Sequence, residues 1–212
     1  MRLRRTTASL VAAAAVAAGA VAAAPAAQAS SLGTTSLATV LLADGDEFDR
    51  NQNDFDIVTQ AALAVLAEKP SSAVGILTDG TKPVTAFIPR DQAFRYLVFS
   101  LTGKWLSSER AIFDAVAGLG IDTVEAVLLY HVVPGATVDR AGALKADGAV
   151  LPTALPGGSI TVDVTPNRKI ELVDADTSAT NPRVRWDLFD INKGNVQIAH
   201  GIDRVLRPID LP

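Results

Sequence analysis

From Asp54 onward, Ile57, Val58, Ala61, Ala62, Val65 and Leu66 recur at helical spacing, and Asn53 or Asp54 stands where a side-chain oxygen can cap the first turn. Pro70 and the serines behind it stop that run. An uncharged, β-rich stretch from Val84 to Ile88, ended by Pro89, predicts a strand; Asp91 is placed to cap a following helix that carries Ala93, Phe94, Leu97 and Val98. Ser107 or Ser108 opens another helix through Ile112, Phe113 and Val116, with Gly118 and Gly120 supplying a left-handed exit. Asp122 and Glu125 have capping-box spacing for a short helix through Val124, Val127 and Leu128.

After Pro134-Gly135 the period changes to two. Ile160, Val162 and Val164 alternate with Thr161, Asp163 and Thr165; a Pro166-Asn167 turn follows; Ile170 and Leu172 then alternate with Lys169 and Glu171, which reads as a hairpin. Val184, Trp186 and Leu188 alternate with charged residues, and Val196, Ile198, His200 and Ile202 close the series. Helices in the first half and strands in the second predict an α+β domain. Residues 30–53, apolar from Leu37 to Leu42 and then acidic, read as a lead-in arm.

The mean hydropathy of +0.26 owes much to residues 1–29. Arg2, Arg4 and Arg5 precede an Ala- and Val-rich run, and Pro25 leads to Ala27-Gln28-Ala29, the small-x-small pattern of a signal-peptide cleavage site. Cleavage between Ala29 and Ser30 is expected, by general secretion, because Thr6-Thr7-Ala8 lacks the bulky apolar residues that usually follow a twin-arginine pair. The run is too short and too weakly apolar for the ~20-residue span of a membrane helix. Its removal leaves 16 basic residues against 23 acidic ones, so the mature chain is acidic, which argues against nucleic acid as a partner. No cysteine is present to form a disulfide or carry a lipid anchor. The expectation is a secreted, extracellular protein with no membrane association once the signal is removed.

Catalytic signatures are absent: the chain has no nucleophile elbow, phosphate loop, zinc helix or dinucleotide turn. Asp49-x-Asn51-x-Asn53 copies the alternating oxygens that begin an EF-hand loop, but position six is Asp54 instead of Gly and position twelve is Gln60 instead of Glu. Asp54 at a helix start reads as a cap, so no metal and no cofactor are expected. His200 shares its strand face with Val196, Ile198 and Ile202 and is expected to be a structural, hydrogen-bonded core residue. Tyr130 and His131 end an apolar helix and are the candidate binding residues, either tying that helix to the next segment or meeting a partner on a surface beside them.

Four segments then carry a resemblance. Thr85-Ala86-Phe87-Ile88-Pro89-Arg90-Asp91-Gln92-Ala93-Phe94 resembles the first signature of fasciclin (FAS1) domains, and Leu128 to Gly135 resembles their central tyrosine-histidine segment. Ile198 to Pro208 resembles the closing signature, and Asp54-Phe55-Asp56-Ile57-Val58 is similar to the usual first helix. The resemblance implies a FAS1 domain over residues 54–210: a wedge-shaped β-sandwich flanked by helices. It also implies a non-enzymatic module for cell-surface or extracellular-matrix adhesion, without a cofactor, whose partner is a protein or polysaccharide. An enzyme or small-ligand-binding protein on the same scaffold is the alternative, because fold does not fix function.

Overall fold

The computed structural model describes residues 31–43, 45 and 48–209, so the signal-peptide reading and the Ala29–Ser30 cleavage site lie outside the described residues. In chain order the elements are α1 (Leu37–Leu42), α2 (Asp56–Glu68), a 3-10 segment (Ala73–Thr78), β1 (Val84–Pro89), α3 (Asp91–Thr102), α4 (Glu109–Ala117), α5 (Ile121–Tyr130), β2 (Val132–Pro134), α6 (Arg140–Ala143), β3 (Val150–Pro152), β4 (Ser159–Val164), β5 (Ile170–Val173) and β6 (Gln197–Ile202). Helices dominate the first half and strands the second, which gives the expected α+β class. Among the described residues, no helix is long and apolar enough to cross a membrane.

Two three-stranded sheets form. One runs β2-β1-β6, with β1 antiparallel to β2 and parallel to β6; the other is the antiparallel meander β3-β4-β5. Side chains on β1 serve two cores, since alternate residues of a strand face opposite ways. Val84, Ala86 and Ile88 pack with helix residues such as Ile57, Val65, Phe94 and Ile112. Phe87 instead joins Ile160, Val162, Ile170 and Leu172 of the second sheet. Each fully buried aliphatic or Phe side chain contributes about 1.5–3 kcal/mol relative to exposure.

The helix ends differ from local expectation. The Ile57 N–H at the start of α2 is bonded not by Asn53 or Asp54 but by Asp91 Oδ1, at 3.0 Å. Asp91 makes no cap for α3, whose flanking residue Arg90 also offers none. Ser108 does cap α4, accepting from Ala111 N. Gly118 is right-handed, while Gly120, at φ +90°, opens α5. Asp122 and Glu125 form no capping box; both bind Lys69 instead. At α2 and α5 a side chain close in space, Asp91 or Lys69, outcompeted the residue close in sequence.

The arm is also held from afar. Leu37 is fully buried, and its N–H donates to Gln197 Oε1 at 2.8 Å, while Gln197 Nε2 donates to Ile76 O and Asp79 O. Val184 to Leu188 do not form a strand. Val184 makes an isolated bridge to Ile202, after which Leu188 N bonds back to Arg185 O in a turn held against β6, with Arg185 N donating to Gly201 O and Leu188 O accepting from Gly201 N.

Candidate functional site

Tyr130 ends α5, and its ring lies between the two sheets at 1% exposure, with the hydroxyl donating to Ser159 O at 2.7 Å. His131 follows at 4% exposure. The Leu206 N–H donates to its Nε2 at 2.9 Å; Nε2 is therefore an acceptor, and the ring proton sits on Nδ1, which donates to Val127 O at 2.7 Å. Burial holds the His131 pKa down to about 4, against the smaller opposing effect of the Val127 bond. The pair ties α5 to β4 and to the closing segment. The reading of Tyr130 and His131 as a surface that meets a partner is corrected by this burial, since both polar ends are spent inside the fold.

His200 is fully buried on β6, beside Phe87 and Phe189. The Asp190 N–H donates to its Nδ1 at 3.2 Å, so Nε2 carries the proton and donates to Val138 O at 2.9 Å. Burial lowers its pKa, the Val138 bond and the nearby Asp190 carboxylate opposing. Both histidines of the chain are thus neutral braces with both ring nitrogens engaged.

The exposed chemistry lies elsewhere. On α3, Tyr96 and Phe99 share a face at three-residue spacing, and Trp105 in the following loop stands edge-on to both, with ring centroids 5.6 and 5.1 Å away. Phe99 is 45% and Trp105 53% exposed. The Arg204 guanidinium stacks 3.9 Å over Tyr96. Beside this ledge opens a cleft of about 370 Å³, which Tyr96 also lines, with Ser100, Asp174, Thr180, Arg204 and Arg207. Arg207 fixes its floor, donating to Asp176 Oδ2 at 3.0 Å and Ser100 Oγ at 2.6 Å.

The signal for this ledge was present in the helical pattern: with Phe94, Leu97 and Val98 turned inward, Tyr96 and Phe99 fall toward solvent. Trp105 and Arg204 reach it from other segments and are not legible locally. A second hollow of about 680 Å³ is apolar and is lined by Leu97, Leu101, Leu119, Val127, Leu155 and Leu206, among others.

Comparison with known proteins agrees with this architecture. No curated protein matches the chain. Among solved structures, a FAS1 domain pair from the insect cell adhesion molecule fasciclin I is similar over 82% of this chain, with a TM-score of 0.54 and 15% identity. The match spans 51% of that structure's chain, about half its length, and at that identity it speaks for the fold. The sequence model of the fasciclin domain, a module generally associated with cell adhesion and commonly extracellular, matches residues 59–208. By that match the chain belongs to the fasciclin domain family.

Proposed function

We propose that the chain is a secreted adhesion module that holds a polysaccharide of a cell surface or matrix on the Tyr96–Phe99–Trp105 ledge and in the polar cleft beside it. The observation that carries this reading is the exposure of Trp105 and Phe99 as one patch in a chain with few aromatic residues. Large rings in water cost free energy unless something covers them, and sugars cover ring faces with C–H groups while their hydroxyls seek polar partners. Ser100, Thr180, Asp174 and Arg204 supply such partners within the cleft. The non-enzymatic reading is supported by His131 and His200, neither of which has a ring nitrogen left for acid–base work.

The test is retention of the purified chain on native envelope polysaccharide, before and after protease treatment of that material. Trp105→Ala combined with Phe99→Ser should weaken retention at least tenfold at unchanged thermal midpoint, and protease treatment should leave retention intact. Retention that survives the double substitution removes the ledge from the account; retention lost on protease treatment makes the partner a protein. The apolar hollow favours a second reading, capture of a small apolar ligand. Displacement of a hydrophobic dye by such a ligand, abolished by Leu119→Asp, would select it.

A further inference from the structure

We propose that the polysaccharide held on the ledge is acidic, and that a second polar cleft, lined by Arg50 and Arg90, takes the carboxylate of its uronate residues. This assignment rests on the polysaccharide reading of the ledge, which leaves the class of sugar open.

The two polar clefts meet at Tyr96. That residue lies under the Arg204 guanidinium and lines the 370 Å³ cleft beside the ledge. It also lines a cleft of about 520 Å³ formed by the loop before α2 and the start of α3, together with Arg50, Asn51, Asn53, Arg90 and Gln92. A sugar chain lying on the ledge can therefore pass from one cleft to the other along Tyr96.

The walls of the second cleft are rich in donors. None of its lining residues is acidic, which reverses the balance of the mature chain, 16 basic residues against 23 acidic. Both asparagines have spent their acceptors: Asn51 Oδ1 accepts from Asn53 N at 3.2 Å, and Asn53 Oδ1 accepts from Arg90 Nη1. Those partners can only donate, so the orientation of each amide is fixed and its N–H groups are what remain for a ligand. Asp49, next to Arg50, turns its Oδ1 back to Asn51 N.

The arginines lack an anionic partner of their own. Arg90 is partly buried; burial first, and then Arg185, disfavours its charge, while Asp203, Tyr96 and Asp187 favour it. Neither carboxylate reaches ion-pair distance: Asp187 pairs with Arg185, and Asp203 Oδ1 accepts from Arg183 N. Arg50 is exposed, and among the described residues neither Arg50 nor Arg90 forms an ion pair. A carboxylate in the cleft supplies the charge that the fold does not.

A neutral sugar suits such walls poorly. Each hydroxyl donates as well as accepts, and a donor-rich wall leaves its proton unmet, whereas an ionised carboxylate only accepts. The planar guanidinium fork also matches the two oxygens of a carboxylate. Because the whole chain is acidic and repels a dense polyanion, the match is to isolated carboxylates along a largely neutral polymer.

The test is retention of the full chain on envelope polysaccharide before and after carbodiimide and borohydride reduce its carboxyl groups to alcohols, a treatment that leaves sulfate and phosphate esters in place. Reduction should weaken retention at least about tenfold, and raising sodium chloride from about 0.05 to about 0.5 M should weaken it on the native form far more than on the reduced one. Arg50→Gln should weaken binding to the native form about fivefold at an unchanged thermal midpoint, with no effect on the reduced form. Arg90→Gln should weaken it at least about tenfold; if that variant does not fold, Arg50→Gln decides alone. Lys145→Gln removes the same charge at an exposed position outside the cleft and should change nothing. Equal retention on both forms, full affinity in Arg50→Gln, or an equal loss in Lys145→Gln overturns the uronate site and leaves the ledge standing. Retention that survives Trp105→Ala with Phe99→Ser, or its absence in the wild type, overturns the ledge and this assignment with it.

Discussion

Replacing His131 with Gln should remove a large part of the acid sensitivity of this fold. In the folded chain His131 titrates at about 4, held there by burial, whereas in the unfolded chain it titrates at about 6.5. A histidine depressed in this way binds more protons when unfolded, so stability is unaffected above pH 6.5, falls as pH drops through that value, and levels off near pH 4. Within the window each pH unit is worth about 1.36 kcal/mol, so His131 alone should account for about 2 kcal/mol of loss between pH 7 and pH 5. That is a large share of a total stability of about 5–15 kcal/mol. Gln cannot titrate; its own cost, from disturbing the Val127 and Leu206 bonds, is present at both pH values and cancels in the difference. Carboxyl groups raised by burial, Asp91 and Glu109 among them, act in the opposite direction but are common to both proteins. Urea unfolding followed by far-UV circular dichroism at pH 7 and pH 5 measures the effect. The variant should lose about 2 kcal/mol less than the wild type over that interval. Equal losses would refute a neutral His131 held by its two backbone partners.

Three further outcomes are expected. Tyr130→Phe removes the bond to Ser159 O and should cost about 1 kcal/mol in urea unfolding while leaving envelope retention unchanged, whereas lost retention at full stability would return Tyr130 to the binding surface. His200→Gln should flatten the decline in stability near pH 6, because burial lowers the His200 pKa and its contribution is lost as pH falls through the unfolded value; an unaltered profile would count against a neutral His200. Gly80→Ala places a Cβ 1.8 Å from Thr34 O, a clash with backbone, and should cost about 1–3 kcal/mol in the same assay by forcing the arm away; a neutral effect would mean that the arm is not held there.

Elements written in local patterns were legible. The α2 run, the uncharged β1 stretch closed by Pro89, the β4–β5 hairpin and the Ser108 cap each depend on neighbours in sequence. What was not legible depends on distance. Gln197 pins the arm by meeting Leu37, Ile76 and Asp79 at once, and Asp91 serves a helix start 34 positions away. The short α6 and β3 lack enough residues to establish a period. Val184 to Leu188 alternate correctly for a strand, yet a strand needs a continuous partner edge, and only Val184 finds a bridge there, to Ile202. Tyr130 and His131 were visible as residues with unspent polar groups, but the atoms that satisfy them, Ser159 O and Leu206 N, come from 29 and 75 positions away. The ledge was half visible: α3 periodicity turns Tyr96 and Phe99 outward, while nothing local brings Trp105 and Arg204 to them.

The most direct test of the ledge uses the chain's own fluorescence. The sequence has two tryptophans, Trp105 on the ledge and Trp186, which is 75% exposed. In a Trp186→Phe chain, Trp105 is the sole tryptophan reporter, and titration with envelope polysaccharide that retains the protein should shift its emission to shorter wavelength and shield it from a soluble quencher in proportion to binding. Emission and quenching that stay unchanged at saturating polysaccharide would place the contact away from Trp105 and contradict the account.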